Sequence, residues 1–214
     1  MPTKDELELK VLETEIARNE AAARAATADA EQAELELRYL KARPEAGGVF
    51  TFVGPVTETA VHRLMDKLEI WSNAHPGDAI TIAINSQGGA VMDGFALYDY
   101  IQTLKKRGHR VTTVGLGMVA SMGGILLQAG DERVMSSRCW LLIHEVQGIV
   151  AGSFAEMEDD MKFNERLQNQ SLDILCRNST FSRKQIINRW KRKDWWLDAN
   201  EALKGGFIDR IEED

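Results

Sequence analysis

Ser121 stands between two apolar stretches, Val111 to Ala120 and Ile125 to Ala129, within the run Gly117-Met-Val-Ala-Ser121-Met-Gly-Gly124. The β-branched residues before it predict a buried strand, and Met-Gly-Gly-Ile-Leu-Leu-Gln-Ala after it predicts the opening of a helix. A hydroxyl at such a junction meets unpaired backbone N–H groups and the positive end of a helix dipole, both of which favour developing negative charge. These are conditions for a serine nucleophile, and equally for an ordinary N-cap serine.

A nucleophile needs a base, and the chain has four histidines. His62 falls beside the apolar stripe of a predicted helix, His75 in the turn Ala-His-Pro-Gly-Asp, and His109 in the basic loop Arg107-Gly-His-Arg110. His144 differs, because it ends the run Trp140-Leu-Leu-Ile143 and so projects from the end of a buried strand, where α/β proteins gather active residues. Asn85-Ser-Gln-Gly88-Gly89 ends another apolar run. Paired glycines there let the backbone approach a ligand closely with its N–H groups turned into a concavity, the requirement of an oxyanion hole, although a tight turn has the same look. With 33 carboxylates in the chain, spacing selects no acid. The residues alone nominate Ser121, His144 and Gly89.

The elements that would position them alternate. Strands are predicted over 49–53, 79–84, from Val111, and over 139–143; helices over 57–72, 91–104, from Ser121, over 153–176 and over 182–190. Alternation of this kind indicates an α/β domain with largely parallel strands buried on both faces. Residues 5–43 hold no Gly or Pro and are rich in Ala, Glu, Leu and Arg, which predicts one long helix or a helical hairpin. A heptad register fits, with Leu9, Ile16, Ala23, Ala30 and Leu37 at one seam position and Leu12, Asn19, Ala26, Ala33 and Leu40 at the other. Its alanine-rich middle favours a weak or antiparallel coil, or a solvated helix, over a parallel zipper. Pro44-Glu-Ala-Gly-Gly48 then breaks the helix and marks a linker at 44–48.

Composition sets the outer limits. A chain of 214 residues, 44% of them hydrophobic, buries about 70% of its unfolded surface, which suits one sizeable domain with an appendage. The formal charge of −7 argues against binding to nucleic acid or an anionic membrane surface. The most apolar window, Val114 to Gly130, is too short and too interrupted for a membrane span. The first twenty residues carry charges throughout, unlike a secretory signal, and two cysteines without metal-ligand spacing fit a cytoplasmic location.

Four separated motifs resemble the proteolytic-subunit (ClpP) family of Clp proteases, over about Val49 to Ile211. Asn85-Ser-Gln-Gly-Gly89 is similar to that family's Asn-Ser-Pro-Gly-Gly, Val119-Ala-Ser121-Met-Gly123 to its Ala-Ala-Ser-Met-Gly, and Leu142-Ile-His144 to its Met-Ile-His. Asp194-Trp-Trp-Leu-Asp-Ala199-Asn-Glu-Ala202 with Gly206-Phe-Ile-Asp209 resembles the stretch that carries the family's catalytic aspartate. The resemblance implies a ClpP/crotonase-like ββα superhelix over 49–214, appended to the helical extension at 1–43. It further implies Ser121 as nucleophile, His144 as general base, Asp194 as the orienting acid, and the N–H groups of Gly89 and Met122 as oxyanion donors. No cofactor or metal is implied.

By the same resemblance the partners would be a polypeptide substrate, further copies in a ring, with a double heptamer as the family's form, and an ATP-dependent unfoldase. The long helix after His144, from Ser153 to Cys176, could fill the ring-stacking role. Gln87 stands where the family has proline, the Gly-x-Ser-x-Gly elbow is absent because Val119 replaces its first glycine, and the extension replaces the family's axial loop. An extension roughly 55 Å long at 1.5 Å per residue could tie the domain to a scaffold, an arrangement with parallels among Clp-like phage head-maturation proteases. A catalytically silent ring subunit used for assembly or recruitment, and a crotonase-type acyl-CoA enzyme, remain as alternatives. The basic aromatic run Arg189-Trp-Lys-Arg-Lys-Asp194-Trp-Trp196, which taken alone suggests nucleic acid, becomes under the resemblance the segment that leads into the acid.

Overall fold

The structure, a computed structural model, describes residues 48–148 and 151–212. The helical extension expected at 1–43 and most of the linker expected at 44–48 lie outside the described residues.

Among the described residues seven strands form one sheet: β1 (Val49–Val53), β2 (Ile80–Ser86), β3 (Val111–Ala120), β4 (Glu132–Ser136), β5 (Trp140–Ile143), β6 (Trp195–Leu197) and β7 (Arg210–Glu212). The main path runs β1-β2-β3-β4-β7, all parallel, and β5 and β6 branch from it. The helices are α1 (Glu58–Ala74), α2 (Val91–Lys106), α3 (Met122–Leu127), α4 (Phe154–Asn178), α5 (Arg183–Trp190) and α6 (Ala199–Lys204). Mixed α/β architecture with a predominantly parallel sheet agrees with the sequence reading. No helix among the described residues is long and apolar enough to cross a membrane.

The apolar periods explain the well-predicted elements. In β2, Ile80, Ile82 and Ile84 are all buried, with Ile82 and Ile84 beside Phe50 and Phe52 of β1. A slip of one residue would expose all three isoleucines, at a cost of about 2 kcal/mol each, so the register is fixed. In α1, Val61, Leu64 and Leu68 face inward at helical spacing, and Thr57 caps the helix by accepting from the Ala60 N–H at 3.3 Å.

β3 is the hinge of the architecture because it forks. Its first half, Thr112 to Gly115, pairs with β4; its last three residues, Met118 to Ala120, pair with β5. Gly117, at φ 62°, sits between the two halves, where the strand must bend from one partner to the other. The end of β3 therefore lies deep in the sheet beside β5, and Ser121 follows immediately.

Four elements escape the sequence reading: β4, β6, α6 and β7. β4 is read through by its charges, yet Arg133 within it is 5% exposed and pairs with Asp209. Its guanidinium contacts both Asp209 oxygens at 2.6 and 3.0 Å and donates to Gln128 Oε1 at 3.0 Å and the Gly206 carbonyl at 2.8 Å. This clamp ties the C-terminal segment to the end of α3.

Candidate active site

The turn from β3 into α3 presents Ser121. Its N–H donates to the Leu142 carbonyl on β5 at 2.9 Å, and its carbonyl accepts from Gly124 and Ile125 at 3.0 and 3.2 Å. The side chain makes no capping bond, whereas Thr57, Ser153, Ser182 and Asp198 all cap their helices with a side-chain oxygen. The N-cap role is thus unused at this one serine. Its backbone lies at φ 53°, ψ −121°, a region that residues with a Cβ avoid at a cost of about 1–3 kcal/mol. A bent strand-to-helix turn around a serine forms here without the Gly-x-Ser-x-Gly motif; Gly123, packed on the Ser86 carbonyl, supplies the close approach after the turn.

The loop after β2 closes on that serine. Ser86 is buried, and its Oγ accepts the Gly88 N–H at 3.1 Å, a local turn that a Ser-x-Gly sequence permits. A Cβ on Gly88 would lie 2.6 Å from the Ser121 Cβ and 2.8 Å from the Ala120 carbonyl, so only glycine fits. Gly89 bridges to Val56: Val56 N–H donates to the Gly88 carbonyl and Ala90 N–H to the Val56 carbonyl, both at 2.9 Å. The Gly89 N–H takes no part in that bridge. These bonds hold the loop with exposed Gln87 in the place where the family has proline. Met122 opens α3, where an N–H has no partner within the helix, and its side chain sits against Gly94 of α2, where a Cβ would collide with it.

His144 follows β5 directly, half-buried, with its Nδ1 buried and without a hydrogen-bond partner. Asp194 is exposed and directly precedes β6. β5 and β6 pair antiparallel with Ile143 opposite Trp195 and Leu142 opposite Trp196. Continuing that register by one step sets position 194 across from position 144, a spacing at which opposite Cβ atoms ordinarily stand about 5 Å apart. The carboxylate does not accept from Nδ1 in this structure. Between α5 and Asp194 the chain turns through Arg192 at φ 57°, with the Arg192 N–H 3.4 Å from the Glu145 carboxylate. Ser121 and Arg192 are the two non-glycine residues with positive φ among the described residues, and they flank one site.

That site is a cavity of about 470 Å³ lined by Ser121, His144, Asp194, Gly88, Gly89 and Met122. All five residues singled out from the sequence therefore border the same space. Its inner wall is Ile125, Leu142, Leu175 and the fully buried Trp190, whose indole N–H lacks a partner. Ser86, Gly88, Glu145 and Trp190 were not assigned roles from the sequence; Ser86 and Gly88 carried local signals, the Ser-x-Gly turn and the paired glycines, and the other two carried none. Neither cysteine competes as a nucleophile, because burial pushes the Cys139 thiol up to about 12 and raises that of Cys176. The remaining histidines have other places: His75 stacks on Trp71, and His109, read from sequence as part of a basic loop, is 3% exposed with both nitrogens bonded.

A parallel α/β sheet whose forked third strand ends in a bent serine turn defines a ClpP-like fold. Comparison with known proteins agrees: the Clp protease family profile matches residues 45–214. The chain is 31% identical over 160 residues to the ATP-dependent Clp protease proteolytic subunit 3 of Rhodococcus jostii, covering 74% of this chain and 77% of that one. It is 30% identical over 164 residues to proteolytic subunit 1 of Chlamydia muridarum, covering 75% and 83%, and 32% identical over 161 residues to proteolytic subunit 2 of Bifidobacterium longum, covering 73% and 74%. The chain belongs to the Clp protease family.

Proposed function

We propose that this chain is a serine endopeptidase in which Ser121 attacks the peptide carbonyl while His144 takes its proton, with Asp194 orienting the imidazole. The N–H groups of Gly89 and Met122 stabilise the oxyanion, each worth about 3 kcal/mol in such sites. His144 then returns the proton to the leaving amine, and water, activated by the same imidazole, hydrolyses the acyl enzyme. What supports the reading is the convergence of these five residues on one cavity, with the β5–β6 register carrying the acid opposite the base.

In this reading the peptidase unit spans 49–214 and works in the cytoplasm inside a homo-oligomeric ring, with α4 as the helix suited to ring stacking; the relatives' names, proteolytic subunits of ATP-dependent proteases, support its being one part of a larger assembly. The extension at 1–43, which the sequence predicts to be helical, ties the domain to a scaffold or another chain, and an ATP-dependent unfoldase is the further candidate partner. The unpartnered His144 Nδ1 favours one second reading, a silent ring subunit used for assembly or recruitment. Intact mass after fluorophosphonate treatment separates the two. A single adduct that disappears in Ser121→Ala supports the peptidase; absence of any adduct on folded, assembled protein supports the silent subunit.

A further inference from the structure

The run Lys191-Arg192-Lys193 is left unexplained by the chemistry above, although it lies between two residues that line the cavity, Trp190 and Asp194. All three residues are exposed, and among the described residues none of their side chains makes an ion pair. Arg189, four residues earlier than Lys193, is committed differently: its guanidinium lies 4.7 Å from the Phe181 ring centroid and 5.0 Å from that of Trp195. The run is also held in place. Lys191 N–H donates to the Ile187 carbonyl at 3.1 Å, Lys193 N–H to the Trp190 carbonyl at 3.0 Å, and Arg192 N–H reaches Glu145 at 3.4 Å. Both ends of this strap touch the cavity wall, through Trp190 and Asp194. In a chain of net charge −7, three consecutive exposed cations without ion pairs, on a backbone held between two residues that line the cavity, form a local field of opposite sign even with Glu145 and Asp194 beside them.

We propose that this strap selects peptides bearing acidic residues beside the residue that enters the cavity, a substrate class for the peptidase reading on which the proposal rests. The cavity itself disfavours an acid. Two carboxylates, Glu145 and Asp194, face it, and its inner wall is apolar. The apolar wall suits an apolar residue in the cavity, the two carboxylates keep acidic ones out of it, and the anionic residues lie outside, at about 3.3 Å per residue along an extended substrate. Because the cations sit at the rim of a site built around a serine, a histidine and available backbone N–H groups, the matching anion is a peptide side chain rather than a nucleic-acid phosphate.

The test uses full-length protein carrying Ser121→Ala, which binds without cleaving. Three labelled peptides share one apolar centre and differ only in flanking Asp/Glu, Asn/Gln or Lys/Lys pairs. At low salt the acidic peptide should bind about tenfold more tightly than the lysine peptide, with the neutral one between, and the difference should shrink severalfold at 0.5 M salt. Adding Lys191→Glu and Lys193→Glu, two exposed sites without side-chain partners, should reverse the order. Equal affinities, or an order unchanged by charge reversal, would overturn the proposal. So would an oligonucleotide that binds more tightly than the acidic peptide and is lost in the same double variant, which would reassign the strap to nucleic acid. Turnover of the neutral peptide by the unsubstituted chain is read separately, so charge-ordered binding without turnover sinks the peptidase reading and leaves the selection standing.

Discussion

Two serine–histidine pairs occur in this fold, and they are opposites. Ser72 of α1 and His109, before β3, are 5% and 3% exposed; Oγ and Nε2 are 2.8 Å apart, and Nδ1 donates to the Asp78 carbonyl at 2.7 Å. A carbonyl can only accept, so Nδ1 carries a proton, and in the neutral imidazole Nε2 then accepts from the serine. Every polar atom is satisfied, and nothing can enter. Ser121 and His144 instead border a cavity, with a serine that declines its capping bond and an imidazole nitrogen left unpaired. A hydrogen-bonded pair that looks like half a catalytic triad is a structural fastening, while the two residues with unused bonding capacity are the ones the proposed function employs.

Substitutions can break this contrast in order of size. Ser121→Ala or His144→Ala should lower peptide hydrolysis by at least about a thousandfold with the urea midpoint nearly unchanged, and Asp194→Asn should approach the same loss if the acid engages during turnover. Turnover assays with denaturation curves decide it; full activity in Ser121→Ala would end the assignment. Gly88→Ala should cost both properties, because its Cβ meets Ser121 and the Ala120 carbonyl, and a drop in activity of a hundredfold or more should accompany a lower melting temperature. His109→Ala should destabilise by about 1–3 kcal/mol through the unpaired Ser72 hydroxyl and the void it leaves, while kcat stays as it was.

The smallest effect concerns acid. Burial works to raise the Asp209 carboxyl, but the hydrogen bonds and charge of Arg133 outweigh it and hold the group below the usual carboxylate range. A lowered native value contributes stability above the unfolded pKa, near 4, and that contribution fades as pH falls through the native value. Asp209→Asn should therefore narrow the gap between melting temperatures at pH 7 and pH 3, modestly, since the carboxylate is 42% exposed. An unaltered gap would remove the clamp from the account of acid stability.

Periodicity made β1, β2, α1 and α2 legible, because each buries one face at its own repeat. Ser121 and His144, two of the proposed site residues, drew attention because they end apolar runs. The proposed acid was not legible, since its place depends on β6, a strand of three residues with two tryptophans, and on a register that no local pattern announces; only the family resemblance pointed to Asp194. Gly88 shows the same limit from another side. Its pairing with Gly89 was visible, but the need for glycine arises from a contact with a residue 33 positions away. The charges of β4 hid a strand because Arg133 and Asp209 neutralise one another only after folding.

The shape of the main chain at position 121 carries an evolutionary consequence. Glycine is the residue that this bend accommodates most easily, so Ser121→Gly relieves about 1–3 kcal/mol of conformational penalty, less the roughly 0.5–1 kcal/mol by which glycine loosens the unfolded chain. The fold would gain durability from the very exchange that removes its hydroxyl. A descendant freed from the need to cut peptides is under thermodynamic pressure to discard this serine, and keeping it sets robustness against reactivity at a single atom.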